Sequence, residues 1–260
     1  MKQRTAARRC SGIFVTGTDT GVGKTLVTAA LAVRLTARRY SIGVMKPVET
    51  GIGRLVVSDA VRLKRAAGTR DALDNIRPYA FRRPLAPLAV SRLEKRPVAV
   101  SSILRAYRRL QSQHDLVLVE GVGGVLVPLT SFVDVVTLVA RMKTPVVVVG
   151  RAGLGGVNHA LLTLNALRQR RIPIVALVLN RTSSPRTTVA QGQERSTTRL
   201  LRELAGVPVI GPLPYHPALS RRFDDEAVRL ARTAPIMKLT RLVLASGRGR
   251  ISRRSRHPAP

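Results

Sequence analysis

GIFVTGTDTGVGKT, residues 12–25, decides the fold. Its opening run, Ile13-Phe14-Val15-Thr16, is β-branched and aromatic and reads as a buried parallel strand. Residues 17–23 form a glycine-rich turn, and Lys24 and Thr25 then open a helical pattern, LVTAALAVRL. This order puts Gly23-Lys24-Thr25 at a helix N-terminus. Inward-facing backbone N–H groups and the positive end of the helix dipole attract phosphate there. In such a loop the lysine reaches the β- and γ-phosphates and the threonine hydroxyl ligates Mg²⁺. Five residues separate Gly17 from Gly23, one more than the usual spacing, so this is a lengthened phosphate loop. A plain glycine-rich turn is the alternative; the strand before it and the helix after it favour nucleotide binding.

The chain has 260 residues, near the upper size for one α/β domain and ample for a buried core. Aromatics make up 3% and there is no Trp, so the core must come from Val, Leu, Ile and Ala. Such a core suits a parallel sheet covered by helices on both faces. Forty-five basic residues against 14 acidic ones give a net charge of +31. That charge raises the question of nucleic acid or another anionic surface. The arginine pairs (Arg38 and Arg39, Arg82 and Arg83, Arg108 and Arg109, Arg170 and Arg171) are scattered, and few aromatics are available to stack bases. They read as solvated arginine, so no nucleic-acid partner is expected. Cys10 is the only cysteine, which excludes a disulfide within the chain and a cysteine metal cluster. No apolar run reaches the ~18–20 residues needed to span a membrane. The basic start lacks an apolar signal core. The expectation is a cytoplasmic protein with no membrane partner.

Further along, SIGVMK (residues 41–46) reads as a second strand that ends in Lys46-Pro47-Val48-Glu49-Thr50-Gly51. Pro47 and Gly51 break regular structure, which leaves Lys46 and Thr50 at a strand's carboxyl end, where open α/β sheets bind ligands. Ser58 or Asp59 can cap the helix that follows; Asp59 is either that cap or a metal-side carboxylate. Residues 77–98 are proline-rich and read as loop, and Ser101 or Ser102 caps a helix to about residue 113. Leu116-Val117-Leu118-Val119 is an apolar strand ending in Glu120-Gly121-Val122-Gly123-Gly124. A carboxylate in that place holds the Mg²⁺ that rides on nucleotide phosphates, and the glycines let backbone approach the ligand. Residues 133–142 read as helix and 146–149 as a central strand. Residues 154–159, LGGVNH, start another helix with an N-terminus fit for an anion. His159 stands alone and suits a local hydrogen bond. Residues 174–179 are the next strand, ending in Asn180-Arg181. Asn180 offers the paired donor and acceptor that read an adenine edge, or is a turn residue. Residues 182–196 read as loop or irregular helix start, 200–205 as helix, 207–210 as the last strand, 211–215 as loop and 225–232 as helix. The expected layout is a basic arm (1–11), one doubly wound P-loop NTPase-like domain (12–235) with a mostly parallel sheet and helices on both faces, and a disordered basic tail (236–260). The tail's charge is concentrated from about residue 247.

GTDTGVGKT, KPVETG, SDA, VEGVGG, GLGGVNHALLT, ALVLNRT and GPLPY occur together and in this order. In that conjunction the chain resembles the ATP-dependent dethiobiotin synthetases of biotin biosynthesis, over residues 12–232. The resemblance implies a homodimer that closes the ureido ring of dethiobiotin from 7,8-diaminopelargonic acid, CO₂ and ATP. It implies that Lys24 binds phosphate and carbamate and that Lys46 is the catalytic lysine. Gly21, Val22 and Gly23 with Gly121, Val122 and Gly123 would surround ATP, while Thr25, Asp59 and Glu120 would hold Mg²⁺. Asn180, Arg181, Pro214, Tyr215 and His216 would bind the adenine end. Thr50 would contact the substrate, and Gly155, Gly156, Val157 and Asn158 would receive its carboxylate from the partner subunit. The chain departs from family habit at Gly21, where some members have an acid, and at Leu88, where many carry His. Two other readings compete. A cobyrinic-acid-type amide synthase would need a further glutaminase domain with a nucleophilic cysteine. A partitioning-type DNA-binding ATPase would carry a second lysine early in the phosphate loop, where this chain has Gly17-Thr18-Asp19.

Overall fold

The computed structural model describes residues 11–53 and 57–246. The expected basic arm up to residue 10, Cys10 and the tail from residue 247 lie outside the described residues. In chain order the strands are β1 (Ser11–Gly17), β2 (Ile42–Met45), β3 (Val48–Thr50), β4 (Tyr79–Phe81), β5 (Leu116–Gly124), β6 (Val146–Arg151), β7 (Ile174–Asn180) and β8 (Val209–Leu213). The helices are α1 (Lys24–Ala37), α2 (Asp59–Ala67), α3 (Leu73–Ile76), α4 (Pro87–Leu93), α5 (Val100–Gln113), α6 (Val135–Met142), α7 (Gly156–Gln169), α8 (Thr188–Leu204), α9 (Phe223–Ala231) and α10 (Ala234–Ser246).

Six strands form one parallel sheet in the order β2-β5-β1-β6-β7-β8. Alternation along the strands feeds two cores, because successive side chains leave opposite faces. Ile13, Val15, Leu116, Leu118, Val147 and Val149 pack with α1, α2, α9 and α10. Phe14, Val117, Val119, Val146 and Val148 pack with α5, α6, α7 and α8. This is the doubly wound sheet expected from the scarcity of aromatics. The chain leaves β1 toward β2 on one side and, after β5, crosses to β6 on the other. A crevice therefore opens at the carboxyl end of β1.

Register carries the functional residues to that crevice. Val15 lies opposite Glu120 in the β1–β5 pair, and Met45 lies opposite Val119 in the β2–β5 pair. Lys46, the next residue, thus emerges beside Glu120. At the opposite edge, His114 ties three segments. Its Nδ1 lies 2.9 Å from Ser41 Oγ and its Nε2 lies 2.8 Å from Asp71 Oδ2.

Several expectations are corrected. Residues 48–50, between the expected breaks at Pro47 and Gly51, form a further strand, β3, paired in parallel with β4; a partner some thirty residues away leaves no local signal. Residues 77–98 contain β4 and α4, the latter with Pro87 at its first turn, where its missing N–H costs nothing. Helix α5 starts at Val100 after Ala99, not at Ser101 or Ser102, because burial of Val100 and Ile103 fixes its start. Within 182–196, α8 begins at Thr188, capped by the Thr187 side chain; its buried residues Glu194, Thr197 and Thr198 are polar and hide the helical period. The last strand runs Val209–Leu213 and takes in part of the expected loop. The tail does not begin at residue 236: α10 buries Ile236, Leu239, Thr240 and Val243 against the sheet. The arginines at 38, 39, 82, 83, 108, 109, 170 and 171 are all exposed and sit on separate elements.

Leu239→Ala should lower the free energy of unfolding by about 2–5 kcal/mol, the usual cost of a buried leucine's cavity. Urea denaturation measures this. A loss below about 1 kcal/mol would mean that α10 is not part of the core.

Candidate active site

Helix α1 begins directly after the phosphate loop. Gly23 adopts a left-handed conformation (φ 98°) and no side chain caps the helix, so its first N–H groups stay open toward the crevice. A Cβ at Gly23 would collide with the Asn180 side chain at 2.2 Å, so only glycine fits. Asn180 Nδ2 in turn donates to the Val22 carbonyl at 3.0 Å, clasping the loop from the end of β7. Its Oδ1 is buried and has no protein partner.

Four charged groups converge beneath the loop. Glu120 is fully buried. Its Oε1 accepts from Lys46 Nζ at 2.5 Å and from Thr25 Oγ1 at 2.9 Å. Lys46 also donates to Asp59 Oδ2 at 3.0 Å. Lys24 Nζ donates to the Asp19 carbonyl at 2.7 Å. Burial opposes charge on Lys46, but Glu120 and Asp59 outweigh it and hold its pKa above the ordinary lysine value. Burial likewise works against charge on Asp59, yet Lys46 holds that carboxyl below its usual value. Burial pushes Glu120 up against the opposing pull of Lys46. Lys24 has less compensation, and desolvation lowers it to about 8.

A cleft of about 840 Å³ opens over this cluster. Of the residues given site roles from the sequence, Gly21, Gly23, Lys24, Thr25, Lys46, Thr50, Asp59, Glu120, Val122, Gly123, Tyr215 and His216 line it. Val22, Gly121, Asn180 and Pro214 are not in the lining. Arg181, also outside it, makes a two-point ion pair with Glu194 at 2.7 and 2.8 Å. Gly155, Gly156, Val157 and Asn158 start α7 away from this cleft, and Leu88 is outside it too. Reading the sequence missed Glu49, Arg62 and Phe223, which do line it. Arg62 stacks over the Phe223 ring at 4.6 Å, a contact between distant segments. Glu49 stood inside the KPVETG motif without an assigned role. His216 Nδ1 lies 2.6 Å from Glu226, and its Nε2 is buried and unpartnered.

Among the described residues, no group of three or more His, Cys, Asp or Glu could hold a metal by itself. The site nevertheless fits a hard cation that brings phosphate oxygens with it. Thr25, Asp59 and Glu120 offer oxygen donors only, and Glu120 Oε2 is buried without a partner. The same chemistry suits phosphoryl transfer, which depends on positioning and on positive charge around the moving group.

Phosphate loop, strand-end acid and parallel sheet together define a P-loop nucleoside triphosphatase fold. A chain of the MinC:MinD cell division protein complex of Aquifex aeolicus superposes with a TM-score of 0.55 at 15% identity, covering 91% of this chain and 96% of its own; the likeness is one of fold. The family described as an AAA domain matches residues 11–222. An ATP-dependent dethiobiotin synthetase of Anaeromyxobacter dehalogenans is 43% identical over 81% of this chain and 93% of its own length. The corresponding enzyme of Thermodesulfovibrio yellowstonii is 40% identical over 84% and 95%. The chain belongs to the ATP-dependent dethiobiotin synthetase family. Among the described residues no helix is long and apolar enough to cross a membrane.

The lowered Lys24 predicts proton uptake on ATP binding. Near pH 8 the free site holds that lysine about half protonated, and phosphate restores its charge. Calorimetry in two buffers of different ionisation enthalpy should read uptake of about half a proton per site at pH 8. The uptake should fade toward pH 6.5, where Lys24 is already charged. Equal values at both pH values would refute it.

Proposed function

We propose that this chain closes the ureido ring of dethiobiotin from 7,8-diaminopelargonic acid, CO₂ and ATP, releasing ADP and phosphate. The observation that carries this reading is the buried Lys46–Glu120 pair under a phosphate loop, in a chain 43% identical to a dethiobiotin synthetase. One substrate amine takes up CO₂ as a carbamate and gives up a proton. ATP phosphorylates the carbamate to a carbamic-phosphoric anhydride. The second amine attacks the carbonyl, the ring closes and phosphate leaves.

The residues divide this work. Lys24 and the open α1 N-terminus bind the phosphates; Lys24 also faces the carbamate. Lys46, permanently charged, stabilises the carbamate and the phosphoryl group in transfer. Thr50 contacts the substrate. Thr25, Asp59 and Glu120 would hold Mg²⁺, which when bound neutralises phosphate charge. Gly21, Gly23, Val122 and Gly123 wrap the phosphates with backbone from the cleft wall, with Val22 and Gly121 buried beside them in the same two turns. The free Oδ1 of Asn180 and the segment Pro214, Tyr215 and His216 receive adenine, with Arg181 bracing that side through Glu194.

Homodimer formation agrees with the exposed apolar residues Leu126 (67%), Phe132 (95%) and Leu154 (73%), all on loops that follow the carboxyl ends of β5 and β6. Gly155, Gly156, Val157 and Asn158 adjoin them and would take the carboxylate of the substrate bound to the partner subunit. A cytoplasmic setting and small-molecule substrates complete the reading. The dispersal of exposed arginine over separate elements speaks against a nucleic-acid groove.

Mass spectrometry of the protein with 7,8-diaminopelargonic acid, bicarbonate, Mg²⁺ and ATP should detect dethiobiotin only when all four are present. No product from protein that binds ATP would overturn the assignment. Lys46→Gln keeps an N–H donor for Glu120 but loses the charge. It should cut turnover by about 10²–10³-fold while ATP still binds; unchanged turnover would remove Lys46 from the chemistry.

A further inference from the structure

Glu49 is the carboxylate in the cleft wall to which neither ATP nor substrate has been assigned. It is only 5% exposed, and both its oxygens are already engaged. Oε1 accepts the backbone N–H of Asp59 at 2.5 Å. Oε2 accepts from Ser58 Oγ and from Arg77 Nη1, each at 3.0 Å. The same Arg77 nitrogen donates to Ser58 Oγ at 2.8 Å, and Ser58 Oγ accepts from the Val61 N–H at 3.3 Å. A carboxylate so committed has little capacity left for a ligand of its own. Its neighbours are the first residue of α2 and that helix's cap.

The consequence is geometric. Asp59 enters the cleft from the first turn of α2, and the N–H of its own residue is pinned to β3. Lys46 lies three residues before Glu49 in the same short segment. One carboxylate thus sets Asp59 and Lys46 in register with each other. Arg77 supplies the opposite charge that makes burying Glu49 tolerable.

We propose that Glu49, held by Arg77, is a positioning residue that fixes the Asp59 carboxylate for the Mg²⁺ of the nucleotide complex. The metal requirement is then tuned from β3 by a side chain outside the ligand set. This inference rests on the Mg²⁺–ATP reading of the cleft. Outer-shell partners of this kind typically change metal affinity by about 10–100-fold when removed.

The test is calorimetric ATP binding across a Mg²⁺ titration and in EDTA, with thermal unfolding as the check on folding. Glu49→Gln is the direct variant, but it leaves Arg77 without its carboxylate. Glu49→Met with Arg77→Met removes both charges and keeps the volume, so the fold is retained. In both, the Mg²⁺ concentration for half-maximal enhancement of ATP binding should rise about tenfold, while affinity in EDTA stays unchanged. Glu49→Asp, which keeps the charge beside Arg77 but shortens the reach, should give a smaller rise. An unchanged Mg²⁺ titration in the folded double variant, with wild type responding to Mg²⁺, overturns this inference alone. An equal loss of affinity in EDTA also overturns it, since that marks general damage to the cleft. Wild-type binding indifferent to Mg²⁺ overturns the metal reading and this inference together.

Discussion

A carboxylate with no exposure to water sits at the centre of the molecule, and the rest of the site is arranged to make it tolerable. Glu120 lies on β5, between β2 and β1 in the sheet, and is fully buried. Its desolvation is offset by Lys46 and by the Thr25 hydroxyl. Removing one partner from such a pair costs about 3–5 kcal/mol, because the other charge is stranded. The strand order that brings β1, β2 and β5 together is therefore also a charge-pairing arrangement. Thr25, in the first turn of α1, and Lys46, just past the end of β2, meet on one oxygen.

The same economy appears in the two cores. Both faces are filled mainly by Val, Leu, Ile and Ala, and most of the few buried aromatics gather on one of them as Phe14, Tyr79, Phe81 and Tyr107. Branched residues are stiff at χ1 and suit a pleated surface. Polar groups around the crevice are held by hydrogen bonds between segments, and Arg62 by the Phe223 ring. The clasp of Asn180 on Val22 exemplifies this: a strand end far along the chain fixes the loop that receives phosphate.

Legibility of the sequence tracked locality. The phosphate loop, the acid after 116–119 and the lysine after 41–45 could be read because strand, turn and charged residue are contiguous. The main-sheet strands were legible for the same reason, their apolar runs being continuous. The β3–β4 pair was not, since three residues pairing across some thirty others carry no period. Helix α8 hid behind polar burial, and α10 behind the assumption that charge near a terminus means disorder. Glu49 was visible as a letter in a motif, but its role depends on Ser58, Asp59 and Arg77 converging on it, and no spacing rule reveals that. The engagement of Arg181 by Glu194 was illegible in the same way.

The exposed arginines bear on more than nucleic acid. All 14 acids fall within the described residues, and half are committed to buried or local ties: Glu49, Asp59 and Glu120 in the cleft, and Asp71, Asp134, Glu194 and Glu226 elsewhere. Four more pair arginines nearer the surface, Asp19 with Arg151, Glu203 with Arg199, Asp224 with Arg65 and Asp225 with Arg222, which leaves most of the 45 Lys and Arg unopposed. Long-range fields from such a surface respond to ionic strength over a Debye length of roughly 8–10 Å. Two binding events then respond to salt in opposite senses. Capture of an anionic nucleotide slows as salt screens the attraction. Pairing of two equally positive copies in the proposed homodimer would strengthen as salt screens their repulsion. Nucleotide capture and assembly of the proposed homodimer are thus expected to have opposite salt dependences.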